Sequence, residues 1–171
     1  MKKYNKFLFL ITILFFISCS APKNLTTKKI NKDGKEILYG LIDKTQLFFD
    51  FPEWKEIYDS YLPEPFVVDS LQKLNKNVKI EIFFGTWCGD SRREVPHFLK
   101  IMEKSGFDIH QNLVMWALDR FKRIDSGLAA QKNIKRVATF IILRDGNEIG
   151  RIVESPKLTL ENDLLAILRS K

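Results

Sequence analysis

The chain has 171 residues, the size of one ordinary domain, and 45% of them are hydrophobic, which excludes a wholly disordered protein. Lysine and arginine outnumber aspartate and glutamate by 28 to 21, but no dense basic stretch is present, so we expect no nucleic-acid partner. The two cysteines, Cys19 and Cys88, are too few for a disulfide framework, and with only His97 and His110 beside them we expect no metal site.

The chain begins with a pattern that is typical of an export signal. Residues 1–6 contain three lysines and no acid, and residues 7–17 are apolar except for Thr12. This apolar run is too short for a transmembrane helix, which needs about 20 residues, but it suits a signal peptide over residues 1–18. A buried core helix is the alternative.

The signal-like segment ends in Ser18-Cys19 and resembles the lipobox of bacterial lipoproteins, although Phe16 replaces the usual leucine. The resemblance implies cleavage before Cys19 and attachment of a diacylglycerol to its thiol. Residues 19–45 are then predicted to be the lipidated cysteine and a polar, lysine-rich tether. We therefore expect an exported protein that is lipid-anchored to a bacterial membrane and faces the periplasm, with residues 46–171 forming its folded domain.

Apolar periodicity and turn signals divide the rest of the chain into strands and helices. They predict strands at 37–42, 78–84, 113–118, 140–143 and 148–153, and helices at 52–62, 70–76, 90–104, 126–132 and 159–168. The strand–helix–strand order implies parallel neighbours, whereas Asp145-Gly146 is a hairpin signal that adds an antiparallel pair. The prediction is an α/β fold with a mixed central sheet flanked by helices.

A stripe of aromatic residues at nearly helical spacing lies in residues 45–62. One face of a helix carries them, so packing against the core is the favoured interpretation. A ligand groove, or an interaction surface that makes Cys88 incidental, is the alternative. The stripe consists of Phe48, Phe51, Trp54, Tyr58 and Tyr61.

Cys88 lies between a predicted buried strand and the helix that follows it. At a helix N-terminus, the unpaired backbone N–H groups and the helix dipole favour a thiolate. The charges of Arg92 and Arg93 would act in the same direction, and that of Asp90 in the opposite one. Cys88 is therefore a candidate nucleophile, with an inert buried cysteine as the alternative.

Trp87 directly precedes Cys88, Pro96 follows Cys88 by eight residues, and the Asp145-Gly146 hairpin signal lies downstream. This arrangement resembles the thioredoxin family, whose pattern is Trp-Cys-x-x-Cys, a proline eight residues after the first cysteine, and a later hairpin. The resemblance covers about residues 66–171, so the part before it is expected to be an N-terminal helical extension of a thioredoxin-like fold. It implies substrate binding by the residues beside the cysteine and by a later loop: Trp87, Gly89, Asp90, Val137, Ala138 and Thr139.

Three residues depart from the family pattern. Ser91 stands in place of the second cysteine, so the chain lacks the thiol that would release a mixed disulfide, although a hydroxyl can donate a hydrogen bond to the Cys88 thiolate. Ala138 stands in place of a cis-proline; a cis bond before alanine costs about 3–4 kcal/mol, and the sequence leaves both isomers of the Val137–Ala138 bond open. Ile82 replaces the buried acid of the family, and Glu81 points to the opposite face of the strand.

Two functions follow as hypotheses. The leading one is a membrane-tethered protein that exchanges thiols and disulfides through Cys88, assisted by Ser91, with a disulfide- or thiol-containing protein or a small thiol as its partner. The alternative is a redox-inactive binding module that uses the same surface. Neither hypothesis requires a cofactor, and no phosphate loop, dinucleotide-binding or zinc-protease motif is present.

Overall fold

The computed structural model of the chain describes residues 27–30 and 34–170. The predicted signal peptide and Cys19 lie outside the described residues. The strands are β1 (Thr27–Ile30), β2 (Glu36–Ile42), β3 (Val78–Phe84), β4 (Leu113–Ala117), β5 (Thr139–Arg144) and β6 (Asn147–Val153). The helices are α1 (Lys44–Asp50), α2 (Pro52–Ser60), α3 (Pro65–Leu74), α4 (Gly89–Lys104), α5 (Ile109–Asn112), α6 (Leu128–Gln131) and α7 (Leu160–Arg169).

The strands form one mixed sheet in the order β1-β2-β4-β3-β5-β6. The β3–β4 pair is parallel and is joined by a crossover through α4, whereas the other four pairs are antiparallel. This arrangement confirms the predicted α/β fold with a mixed sheet flanked by helices. In the described part of the predicted tether, β1, β2 and the beginning of α1 belong to the folded unit.

Several elements differ from the sequence predictions. β1, α1 and α5 were not predicted, and α3 begins at Pro65 instead of at residue 70. Pro65 occupies the first helical position, where its missing N–H costs nothing, and Glu64 is the N-cap. The helix therefore begins five residues earlier than the predicted start.

Alternating side chains of β3 enter two cores, one on each face of the sheet. Ile82 and Phe84 belong to the larger core, which the helices cover, and Phe83 belongs to the smaller core on the opposite face. Trp54 of α2 is fully buried, and its ring centroid lies 5.9 Å from that of Phe84. Tyr58 is also buried, so the predicted core-facing side of α2 is confirmed at both positions.

The N-terminal helices are fastened to the rest of the domain by a buried carboxylate. Glu161 of α7 is 3% exposed and accepts hydrogen bonds from the hydroxyl of Tyr61, at 2.8 Å, and from the backbone N–H of Glu64, at 3.2 Å. The ring of Tyr61 stacks on His97 of α4 with 3.9 Å between centroids. These contacts hold the α2–α3 connection against α4 and α7, which fixes the orientation of the helix that carries the cysteine.

No helix within the described ranges is both long enough and apolar enough to cross a membrane.

Candidate active site at Cys88

Cys88 is the N-cap of α4, at the end of a short turn that follows β3. Its backbone N–H donates to the carbonyl of Gly85 at 2.9 Å, and its own carbonyl accepts the first helical hydrogen bond, from the N–H of Arg92 at 3.0 Å. The thiol is partly buried and does not cap the helix. The backbone N–H groups of the first turn of α4 therefore have no side-chain acceptor from the cap residue, and they are available to an anionic sulfur.

The Cys88 thiol faces the loop that precedes β5. Its Sγ lies 3.2 Å from the carbonyl oxygen of Val137, to which it donates. The Val137–Ala138 peptide bond, whose isomer the sequence left open, is cis. The carbonyl of Ala138 accepts from the N–H of Glu154 at 2.7 Å, and the Thr139 hydroxyl donates to the carbonyl of Arg136 at 2.7 Å. Neighbouring backbone thus holds this loop in place against the sulfur.

Ser91 is completely buried one turn into α4. Its Oγ accepts a hydrogen bond from the backbone N–H of Gly85 at 3.2 Å. Within the described residues, the Ser91 hydroxyl forms this hydrogen bond and forms no hydrogen bond with Cys88 Sγ. The hydroxyl therefore ties the turn before Cys88 to the helix after it, which is a structural role that the sequence did not suggest.

Trp87 lies across the same turn. Its indole Nε1 donates to the carbonyl of Leu118 at 2.9 Å, which fixes the ring orientation. A Cβ added to Gly85 would lie 2.5 Å from Cε2 of the indole, so only glycine fits beneath the ring. The guanidinium of Arg120 lies 5.6 Å from the centroid of the ring. The tryptophan is partly exposed beside Cys88, where it can contact a partner.

Two of the charged residues that follow Cys88 are paired with each other. Arg93 forms ion pairs with Asp90 at 3.0 Å and with Glu94 at 2.6 Å, and it also donates to the hydroxyl of Ser155. The carboxylate of Glu94, assisted by Asp90, raises the pKa of Arg93. Arg93 and Asp90 therefore largely neutralise each other. Arg92 is exposed and forms no ion pair with any described residue.

A cleft of about 310 Å³ opens beside Cys88. The turn after β3, the start of α4, the beginning of β2 and the start of α2 all contribute residues to its lining. The residues that line it are Lys35, Glu36, Ile37, Phe51, Glu53, Thr86, Trp87, Cys88, Gly89, Arg92 and Arg120. Within the described part of the chain, no cluster of histidine, cysteine and acidic residues could hold a metal ion.

Residues 50–162 match the sequence model of a family described as thioredoxin. The chain belongs to the thioredoxin family. It is 29% identical to thioredoxin H9 of Arabidopsis thaliana over 104 residues, which cover 60% of this chain and 69% of the relative. It is 32% identical to a thioredoxin of Coprinus comatus over 99 residues, which cover 56% of this chain and 87% of that protein.

Solved structures agree with the fold. A protein of unknown function from Pseudomonas aeruginosa superimposes with a TM-score of 0.50 at 15% identity, and the match covers 74% of this chain and 86% of that one. This likeness bears on the fold alone. Together with the match to the thioredoxin family model, it confirms the thioredoxin-like fold that was predicted from the Trp-Cys step and the helix proline.

The three residues that the sequence comparison set against the thioredoxin pattern lie in different surroundings. Ser91 is buried in the first turn of α4, and Ala138 follows Val137, whose carbonyl faces Cys88 Sγ. Ile82, at the position of the family's buried acid, is fully enclosed in the core. Glu81 instead forms an ion pair with Lys132 at 2.7 Å, in keeping with the prediction that it points away from Ile82. The site therefore combines a family-like cysteine position with a different set of neighbours.

The sequence did not indicate which distant residues line the cleft together with Cys88. Lys35, Glu36 and Ile37 lie more than 50 positions earlier in the chain, and they reach the site because β2 pairs with β4 and thereby joins the central sheet. The backbone N–H of Leu38 donates to the Thr86 hydroxyl at 3.2 Å, which brings the start of β2 against the turn. This proximity is set by tertiary pairing, and no local motif encodes it.

Proposed function

We propose that this thioredoxin-like protein exchanges thiols and disulfides through the single cysteine Cys88, which forms mixed disulfides with its partners. The observation that carries the proposal is the position of Cys88 Sγ, partly exposed at the N-terminus of α4 and at the mouth of a cleft. A nucleophilic sulfur needs access to its target and stabilisation as a thiolate. The cleft provides access, and the N–H groups at the start of α4 are the donors that we propose for a thiolate at this position.

The proposed reaction begins with the Cys88 thiolate. It attacks one sulfur of a partner disulfide, so that a new S–S bond forms between Cys88 and the partner while the original S–S bond breaks. The leaving sulfur departs with the electron pair as a thiolate and takes up a proton from solvent. Cys88 is oxidised to the mixed disulfide, and the leaving sulfur is reduced to a thiol.

Release of the partner requires a thiol from outside the domain. Ser91 carries no sulfur, and the second cysteine of the chain, Cys19, is the proposed lipid-attachment site. A thiol of the substrate or a small external thiol must therefore attack the mixed disulfide and regenerate Cys88. This chemistry gives isomerase-like exchange or thiol trapping, in contrast to the net reduction performed by a dithiol.

The partner is proposed to contact Trp87 and the loop at residues 137–139. Trp87 is held by its hydrogen bond to Leu118 and partly covers the turn beside the sulfur. The carbonyl of Val137 lies within hydrogen-bonding distance of Cys88 Sγ, so a chain attached to that sulfur would lie along this loop. Gly89 is exposed and leaves open space at the start of α4.

The test is the intact mass of the full chain after incubation with hydroxyethyl disulfide, followed by quenching in acid. The proposal predicts one adduct, equal to half of the disulfide, which disappears in Cys88→Ser and is reversed by an external thiol. Absence of the adduct in the folded protein refutes exchange by Cys88.

We also propose that the chain is anchored by lipid at Cys19 and faces the periplasm. The support is the lysine-rich start, the apolar run and the Ser18-Cys19 step. Expression of the full chain in a bacterium with an outer membrane, followed by fractionation, tests the anchor. The protein should sediment with membranes, and its intact mass after extraction should correspond to a chain that begins at Cys19 and carries a diacylglycerol, which Cys19→Ser should lack. A wild-type mass without the lipid contradicts lipidation at this residue.

A binding module without turnover is the second candidate function. It is favoured by the hydrogen bond that commits the Ser91 hydroxyl to Gly85 and by the enclosure of Ile82 where the family has an acid. In this alternative, the surface around Trp87 and Cys88 holds a protein partner non-covalently. The module would retain its partner in Cys88→Ser, whereas the exchange protein would lose it.

A further inference from the structure

The cleft beside Cys88 has a size and a composition that distinguish it from a flat protein-docking surface. Its volume of about 310 Å³ lies at the lower end of the range of small-molecule sites, about 300–1,000 Å³. Three of its lining residues, Lys35, Glu36 and Ile37, precede the region at residues 50–162 that matches the thioredoxin family model. The concave shape is therefore partly a feature of the N-terminal segment of this chain.

Both signs of charge line the cleft. Lys35, Arg92 and Arg120 supply positive charge, whereas Glu36 and Glu53 supply negative charge. Glu36 forms an ion pair with Lys28 at 3.4 Å.

Two of these charged side chains are available to a ligand. Arg92 and Glu53 are exposed, and neither forms an ion pair within the described ranges of the chain. The cleft thus presents an available guanidinium from α4 and an available carboxylate from α2, and Cys88 lines the same cleft.

We propose that this cleft binds a low-molecular-weight disulfide that carries both a carboxylate and an ammonium group, of the amino-acid or short-peptide class. Arg92 binds the carboxylate, and Glu53 binds the ammonium group. A guanidinium recognises a carboxylate through paired N–H donors, and a carboxylate accepts from an ammonium group. The inference rests on the proposed exchange reaction at Cys88 and names its substrate class.

In the reaction with this substrate, the S–S bond of the ligand is the oxidant, so no further oxidant is needed. Cys88 Sγ forms a bond to one sulfur of the ligand, the S–S bond of the ligand breaks, and the other half leaves as a thiolate that is protonated by solvent. A low-molecular-weight thiol then attacks the sulfur of the ligand in the mixed disulfide. The ligand leaves as a new disulfide, and Cys88 returns to the thiolate.

The experiment measures second-order rate constants for mixed-disulfide formation by the full chain with four symmetric disulfides. Glutathione disulfide carries both groups, dithiodipropionate carries carboxylates alone, cystamine carries ammonium groups alone, and hydroxyethyl disulfide is neutral. Each rate is divided by that of hydroxyethyl disulfide for the same variant, because this ratio cancels changes in the reactivity of Cys88. The variants are Arg92→Gln and Glu53→Gln.

Matched control variants remove the same charges elsewhere. Lys79→Gln removes a positive charge from an exposed position toward the opposite end of β3, and Glu56→Gln removes a negative charge one turn further along α2. Neither residue lines the cleft. Both controls should keep all three normalised rates at the wild-type values.

Arg92→Gln should lower the normalised rates of glutathione disulfide and dithiodipropionate about two- to fivefold, the range of one solvent-accessible ion pair. Glu53→Gln should lower those of glutathione disulfide and cystamine to a similar extent. Normalised rates that stay at the wild-type values in both variants, while hydroxyethyl disulfide still reacts, overturn the substrate assignment and leave exchange intact. Failure of all four disulfides to react refutes the exchange proposal, and this inference with it.

Discussion

Replacement of Ser91 by alanine tests whether the buried hydroxyl has a structural role in the turn before Cys88. The substitution removes the acceptor of the Gly85 N–H, at 3.2 Å, and both residues are buried. A buried donor that is left without a partner costs about 1–3 kcal/mol, and we expect Ser91→Ala to lower the free energy of unfolding by that amount. For a protein of this size the melting temperature falls about 2–4 °C for each kcal/mol.

Urea unfolding followed by circular dichroism measures the change, with Ser60→Ala as the matched control. Ser60 is exposed, and its hydroxyl donates to the carbonyl of Ile57 at 3.0 Å in the last turn of α2. Its removal should alter the free energy of unfolding by less than about 0.5 kcal/mol. If Ser91→Ala falls within the same limit, the proposed structural role is refuted. A parallel measurement of mixed-disulfide formation then shows whether the hydroxyl serves Cys88 instead.

Two further predictions concern the packing around the site and the contact of α4 with Tyr61. Gly85→Ala places a Cβ 2.5 Å from the indole of Trp87 and should lower the free energy of unfolding by about 1–3 kcal/mol. In the control Gly89→Ala, the added Cβ meets nothing within 4 Å, so this variant should not be destabilised. Equal effects of the two substitutions in urea unfolding would contradict the prediction. Burial lowers the pKa of His97 below its ordinary value of 6.5. As the pH falls, the unfolded chain therefore binds the proton before the folded chain does, so the free energy of unfolding should decrease below pH 6.5. The decrease should be less steep in His97→Phe. If the wild type and His97→Phe show the same dependence of the free energy of unfolding on pH between pH 5 and 7, measured by urea unfolding, the prediction is refuted.

The local part of the site could be predicted from the sequence. The apolar run of β3, the glycine-flanked turn and the helical pattern of α4 occupy consecutive residues, so Cys88 was correctly expected at a helix N-terminus. The hairpin was equally local, because Asp145-Gly146 has the positive φ angles that its turn requires, 52° and 83°.

The missed features depend on distant parts of the chain. β1, α1 and α5 have only four to seven residues each, too few for a periodic pattern to stand out. Arg93 was expected to act on Cys88, but carboxylates on its own helix, together with Ser155 from the loop after β6, hold its guanidinium. The contribution of residues 35–37 to the cleft depends on β2 joining the sheet beside β4, and this pairing has no signature in the residues around the cysteine.

Catalytic turnover by the full chain tests the central claim most directly. The measurement is the rate of exchange between hydroxyethyl disulfide and an excess of a small thiol, as a function of protein concentration. Exchange through one cysteine predicts a rate that rises linearly with the protein, exceeds the uncatalysed rate, and falls to the uncatalysed rate in Cys88→Ser. A wild-type rate equal to that of Cys88→Ser would contradict the claim and would leave a thioredoxin-like fold that binds a partner without turnover.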